Sequence, residues 1–214
     1  MGAPDFNRSP LDQGVTRWVL EALGPQTRVS RVTPLAGATS SSLYRIGIEG
    51  QNRAWNVVLR LFTNRDWLRD EPKLARHEAE SLIKAGEVAV NTPELIAFDE
   101  NGASCGAPAV LMTELPGAVD LRPRNLEDWL SRMADALVRV HQVAAPVFPW
   151  TYFTYNDLSA LAPPEWSRLT GPWGEAIRFA QGQPPETRPT FIHRDYHPVN
   201  VLWKDGQVSG IVDW

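Results

Sequence analysis

The sequence predicts an α+β chain in two parts, a strand-rich first half and a mainly helical second half. Three observations carry that expectation. Strand and helix patterns alternate up to residue 113, and helical spacing dominates afterwards. The run ELPGAV, residues 114–119, interrupts both patterns, so residues 1–113 are read as one lobe and 114–214 as the next. Finally, FIHRDYHPVNVLW, residues 191–203, packs two His, an Arg, an Asp and an Asn between apolar edges, a density of polar groups that a core tolerates only for a reason.

The elements follow in order. Ser9, Pro10 and Asp12 offer an N-cap, a proline at the first helical position and an acid at the third. Leu11, Val15, Trp18, Val19 and Ala22 then recur at helical spacing until Gly24-Pro25 stops the helix. Residues 29–35 read as a strand, and a loop of small residues leads into the alternating Tyr44, Ile46 and Ile48. AWNVVLRLF, residues 54–62, is rich in β-formers and gives a third strand. Residues 72–85 form a helix with Leu74, Ala75, Ala79, Leu82 and Ile83 on one face. Strands near 94–98 and 108–114 flank an ENG turn at 100–102. After Asn125, helical spacing returns in Leu126, Trp129, Leu130, Met133, Leu137 and Val140. Residues 144–189 are rich in proline and hold Trp150, Trp166 and Trp173, which read as core or as the wall of a pocket.

Composition narrows the function. The 214 residues carry a formal charge of −4, which argues against a nucleic-acid binder working through a broad basic surface. Cys105 is the sole cysteine, so neither an intrachain disulfide nor a CxxC metal site can form, and a reducing compartment is expected. The first residues lack a basic and an apolar region of the secretory kind, and no apolar run has the length of a membrane span. The expectation is a soluble, cytoplasmic protein with neither nucleic-acid nor membrane partners.

The polar run has a specific spacing. His193-Arg194-Asp195 and then Asn200 match H-R-D-x-x-x-x-N. Phosphoryl transfer needs a carboxylate to orient the attacking hydroxyl and take its proton, and oxygen ligands for Mg²⁺ on the phosphates. Asp195 is the candidate base, and Asn200 a candidate metal ligand. Asp205-Gly206 is a hairpin turn, after which Val208, Ile211 and Val212 form a short strand ending at Asp213, the second candidate metal ligand. A hairpin with ordinary turn acids is the alternative. His193 reads as a structural residue holding the loop, and His197 as either structural or functional.

These residues resemble the aminoglycoside phosphotransferase family within the protein-kinase-like fold. Tyr196-His197-Pro198 and the IVDW of residues 211–214 are closer to that family than to protein kinases, which carry D-F-G where this chain has Asp213-Trp214. The resemblance implies a two-lobe, kinase-like fold with a β-rich N-lobe that binds nucleotide. It also implies an incomplete, mainly helical C-lobe, since Trp214 is one residue past Asp213, and the strand that ends there beside the site is expected to be poorly restrained. It places Arg60 at the position of the base that grips the inner phosphates, with Glu78, or second Glu80, as its partner. Taken alone, Arg60 reads as a charge on a strand edge. The loop with Gly37, Ser40 and Ser41 falls where a nucleotide loop belongs, and Met112, Glu114 and Leu115, in the run 112–115, fall where backbone groups hold adenine. The activity implied is transfer of the γ-phosphate of ATP, with Mg²⁺, to the hydroxyl of a small molecule. The rival is a non-catalytic kinase-like module that binds nucleotide or a partner.

Overall fold

The computed structural model describes residues 11–36, 41–154, 157–183, 186 and 188–214. Its contacts divide the chain into two units, Met1–Val143 with Ile192–Trp214, and Ala144–Phe191. The first unit is built on a five-stranded antiparallel sheet. Helix α1 (Gln13–Leu23) leads into β1 (Arg28–Leu35), β2 (Ser42–Glu49) and β3 (Ala54–Leu61). A short helix α2 (Arg65–Asp70) and a longer α3 (Leu74–Ala85) precede β4 (Leu95–Asp99) and β5 (Ala109–Thr113). The strand order is β1-β2-β3-β5-β4, so β3 is central.

Period two on β3 decides which side chain meets which layer. Val57, Leu59 and Leu61 point to one face and join Ile46, Ile48, Val15 and Val19 in the largest apolar cluster. Burying each Ile or Leu there contributes roughly 2 kcal/mol. Val58, Arg60 and Phe62 point to the other face, which α3 covers through Ala75 and Leu82, alongside Val110 and Met112 of β5. Arg60 is therefore no strand-edge charge. It lies on a central strand beneath a helix, and its side chain is 14% exposed.

Several local expectations need correction. The first helix is capped by Asp12, whose carboxylate accepts the Gly14 N–H at 2.7 Å, so Asp12 is the cap rather than the third helical residue. Ser9 and Pro10 lie outside the described residues. On α3, Ile83 is 63% exposed; the buried face instead runs through Ala75, Glu78, Ala79 and Leu82. A glutamate occupies that face because Arg60 lies beneath it. The β4–β5 connection is wider than an ENG turn: the buried Asp99 accepts the N–H groups of Ala103, Ser104 and Cys105 and folds the segment around its carboxylate. Those donors also hold the Asp99 pKa below its ordinary value against the opposing effect of burial, which is the largest single influence.

The segment 114–119 contains the two-residue strand β6 (Ala118–Val119). It pairs with β7 (Val201–Lys204), which pairs with β8 (Gln207–Ile211) in a second antiparallel sheet. Gly117 has φ +119, and an added Cβ would lie 2.9 Å from the Trp203 carbonyl oxygen, so only glycine lets the chain pass the hairpin there. Helix α4 (Leu126–His141), capped by Asn125, buries Trp129, Met133, Ala136 and Val140. Leu126 and Leu130, expected on that face, are exposed. Trp129 stacks on Trp203 with ring centroids 5.5 Å apart, and Val201 completes this cluster. Trp214 is better held than expected: its indole N–H donates to the Ile211 carbonyl at 3.0 Å, and its ring packs against the cluster of Phe62 and Met112.

The second unit contains a 3₁₀ turn at Leu158–Ala160 and helix α5 (Thr170–Ala180). Trp166 and Trp173 meet edge to face at 6.2 Å, and the Trp173 indole donates to Ser167 at 3.0 Å. Trp166 lies on the surface, contrary to a core role, and no residue of α5 is buried.

Candidate active site

The β7–β8 hairpin turns at Asp205 and Gly206, both at positive φ, as an Asp-Gly type I′ turn requires. The chain leaves β8 through Val212, whose N–H donates to the Asn200 carbonyl at 2.9 Å. The next residue, Asp213, has φ 68, in the left-handed region where an Asp is tolerated and most side chains are not. This turn aims its carboxylate at Arg60, to which it is hydrogen-bonded.

Arg60 thus joins three elements. One guanidinium nitrogen donates to Glu78 of α3 at 3.0 Å, and another donates to Asp213. Its Nε is buried with no partner among the described residues. Glu78 lies between Ala75 and Leu82 in the helical repeat and is buried with them, whereas Glu80 pairs with Arg76 on the outer side at 2.9 Å. Burial is the main reason that the Glu78 pKa is pushed up to about 7; Asp213 adds to the rise and Arg60 opposes it. The two carboxylates raise the Arg60 pKa, overcoming the desolvation that would lower it, so the guanidinium stays charged.

Asp195 is held differently. Asn200 donates its amide to the Asp195 carbonyl at 3.0 Å and, at 3.4 Å, to Oδ2 of its carboxylate. His197 Nε2 lies 3.1 Å from the same Oδ2. The Tyr196 hydroxyl donates to the Met133 carbonyl at 2.7 Å and ties this loop to α4. His193 is buried, its Nε2 lies 2.9 Å from the Val212 carbonyl, and burial lowers its pKa. It therefore sits neutral and braces the loop against the segment carrying Asp213. His193 Nδ1 has no partner among the described residues.

Around the end of β5 the side chains have structural occupations. Met112 is buried, and Thr113 accepts the Glu94 N–H at 2.8 Å. Glu114 takes a hydrogen bond from Arg45 of β2 and another from Asn56 of β3 at 2.7 Å. Leu115 lies against Gly210, where an added Cβ would come within 2.5 Å of Leu115 Cδ1. Gly37 and Ser40 lie outside the described residues, and Ser41 stands just before β2. The structure thus brings together Arg60, Glu78 and Asp213, and separately Asp195 and Asn200. It adds Tyr196, Arg45 and Asn56, which single residues in a sequence do not mark, and the His197–Asp195 contact, for which the i, i+2 spacing was the only sign.

Asp213 and Asn200 offer oxygen donors of the kind that a magnesium ion takes, without forming a cage. No group of three or more His, Cys, Asp or Glu side chains gathers at a metal-binding distance among the described residues. Mg²⁺ rarely needs such a group; one carboxylate, an amide oxygen, substrate phosphates and water suffice. The Asn200 amide nitrogen donates to Asp195, so of its two polar side-chain atoms Oδ1 is the one that a metal would meet. The unpartnered Arg60 Nε is an unmet donor suited to a phosphate oxygen.

A homoserine kinase of Methylocella silvestris is 27% identical over 144 residues, which are 58% of this chain and 42% of that protein. A structure described as an aminoglycoside phosphotransferase of Ralstonia eutropha superposes with a TM-score of 0.64 at 14% identity, over 94% of this chain and 64% of that one. A thermostable aminoglycoside phosphotransferase in ternary complex with ADP and hygromycin B gives a TM-score of 0.59 at 17% identity, over 94% of this chain and 71% of that one. The chain thus spans less than half of the homoserine kinase and just under two thirds of the first structure. The structural likeness shows the fold, an α+β kinase-like architecture with a β-sheet N-lobe and helices. The sequence model of the phosphotransferase enzyme family matches residues 31–214, and with that match over most of its length the chain belongs to that family.

Proposed function

We propose that this chain carries the nucleotide site and the catalytic loop of a small-molecule O-phosphotransferase that uses ATP. The observation behind this reading is Arg60, caught between Glu78 and Asp213 with a third donor unmet. A lone structural ion pair has no need of a second carboxylate presented at a left-handed residue. The lobes are taken as 1–113, binding nucleotide, and 114–214, bearing the catalytic loop. Arg60, oriented by Glu78, grips the inner phosphates. The segment around Gly37, Ser40 and Ser41 covers them, and backbone groups along Met112, Glu114 and Leu115 hold the adenine. Asn200 and Asp213 hold Mg²⁺, which when bound neutralises charge on the phosphates.

The acceptor is a small molecule with a free hydroxyl. Its oxygen forms a bond to the γ-phosphorus, the bond from that phosphorus to the bridging oxygen breaks, ADP leaves, and the hydroxyl proton passes to the Asp195 carboxylate. The work is mainly orientation and charge neutralisation. The curated relative is named for homoserine and one structural neighbour holds hygromycin B, so amino-bearing alcohols are the first acceptors to try. No described helix is long and apolar enough to cross a membrane, and the single cysteine supports a cytoplasmic location.

The test is thermal unfolding with ATP, with and without Mg²⁺. A ligand that binds only the folded chain stabilises it by about 2.7 kcal/mol at a hundred times its dissociation constant. A Mg²⁺-dependent rise that Asp213→Ala removes supports the assignment. A cooperative transition that ATP and Mg²⁺ leave unmoved overturns it.

A further inference from the structure

We propose that His197 is a positioning residue that fixes the rotamer of Asp195 by donating a hydrogen bond from Nε2 to Oδ2, leaving Oδ1 as the oxygen that meets the acceptor hydroxyl. The inference rests on Asp195 being the base, as argued above.

The tautomer follows from the backbone. Pro198 disfavours helical geometry at the residue before it, and His197 is extended, at φ −149 and ψ 169. From there its side chain caps the 3₁₀ turn Pro198–Asn200, with Nδ1 accepting the Val199 N–H at 3.4 Å. A backbone N–H can only donate, so Nδ1 carries a lone pair. The proton of the neutral ring then sits on Nε2, which faces Asp195 Oδ2 at 3.1 Å; the Asn200 amide also lies 3.5 Å from Nε2, but its two protons have the shorter Asp195 oxygens, at 3.0 and 3.4 Å, to meet. The Asn200 amide converges on the same oxygen at 3.4 Å. Two donors therefore occupy Oδ2, and no donor meets Oδ1 among the described residues. A carboxylate that is 66% exposed has little packing to hold it, so these two bonds set its orientation. His197 is itself 41% exposed and outside the apolar clusters, which makes a packing role a poor account of it.

The two ring nitrogens do separable jobs, and two amides separate them. His197→Asn keeps an acceptor near the Nδ1 position for Val199 and loses the reach to Asp195. His197→Gln keeps an N–H donor that reaches Asp195 and loses the cap. In nitrogen-detected NMR, His197 of the parent chain should show a protonated Nε2 and a bare Nδ1, and Asp195→Ala should perturb the Nε2 resonance. A protonated Nδ1, or an Nε2 indifferent to Asp195→Ala, overturns the proposal whether or not the chain turns over. Hydrolysis of Mg·ATP, with water as acceptor, supplies the second readout. His197→Asn should lower kcat roughly tenfold to a hundredfold with KM for ATP unchanged, as befits a group that orients a reacting side chain. His197→Gln should restore kcat towards the parent. The opposite ranking, with Asn active and Gln impaired, assigns the residue to the cap alone and overturns the proposal. If Asp195→Ala itself keeps its turnover, the reading of the base fails first; if that variant is dead and His197→Asn matches the parent, only the role of His197 fails.

Discussion

Arg60 and Asp195 are charges of one proposed site, held by opposite means. Arg60 lies on a central strand, almost wholly buried, and its partners come from a helix 18 residues away and from a turn 153 residues away. Asp195 stands two-thirds exposed, and the groups touching its carboxylate lie two and five residues further along the chain. The first arrangement needs the whole fold of the unit and carries a large desolvation cost. The second is a local loop that Tyr196 pins to α4. The difference suits the proposed tasks: a phosphate grip gains from a rigid low-dielectric setting, whereas a base must stay open to an incoming hydroxyl.

The largest effect should fall on the exposed charge and be purely kinetic. Asp195→Ala should reduce phosphate transfer about a thousandfold, the range for a positioned acid–base group. Its melting temperature and nucleotide-induced stabilisation should stay near the parent values. A parallel loss of stability would mean that the loop is less local than its hydrogen bonds indicate.

The buried charge should give the reverse pattern. Glu78→Ala removes one of two carboxylates from Arg60 and should cost about 3 kcal/mol of stability, measured by denaturant unfolding. A cost below 1 kcal/mol would show that Asp213 alone satisfies Arg60, and would make the two regions more alike than the geometry indicates.

A pH effect of intermediate size follows from the raised Glu78 pKa. With a folded value of about 7 against 4.5 unfolded, the folded chain binds more protons between those values. Stability from this group is fully present below the unfolded value, falls as pH rises, and is lost above the folded value. The expected fall from about pH 5 to about pH 8 is on the order of 2 kcal/mol. Glu78→Gln should flatten that slope, and a slope that survives the substitution assigns it to another group.

The same contrast explains what was readable in the sequence. The proposed catalytic loop is a local object, so spacing singles out Asp195, Asn200 and Asp213 as candidates, and the Asp-Gly turn marks the hairpin that the structure shows. The strands came through because β2 and β3 alternate cleanly against one buried face. Long-range pairing left no comparable trace. Arg60 read alone as a strand-edge charge because a single strand does not reveal that it is central. Ile83 was assigned to the buried face of α3 because periodicity favours an isoleucine over Glu78, and only the arginine beneath the helix reverses that order. Leu126 and Leu130 failed for a related reason: helical spacing marks an apolar stripe without saying which part of it meets a partner. The partners of the Glu114 carboxylate, Arg45 and Asn56, lie 69 and 58 residues away and are likewise invisible to local pattern.

Tyr196 gives the smallest effect and the finest test of how local the loop around Asp195 is. Its hydroxyl donates to a carbonyl in the middle of α4, while its ring meets His193 edge to face at 6.0 Å. Burial pushes its pKa up to about 12, so it remains a donor across the working pH range. Tyr196→Phe keeps the ring and removes one hydrogen bond, whose net worth is about 1 kcal/mol. If His197 and Asn200 suffice to orient Asp195, the variant should lose that stability and keep kcat within about threefold of the parent, a change under 1 kcal/mol in the barrier. A drop of tenfold or more would mean that the loop takes its geometry from α4, and that the catalytic charge, like the binding charge, depends on distant parts of the chain.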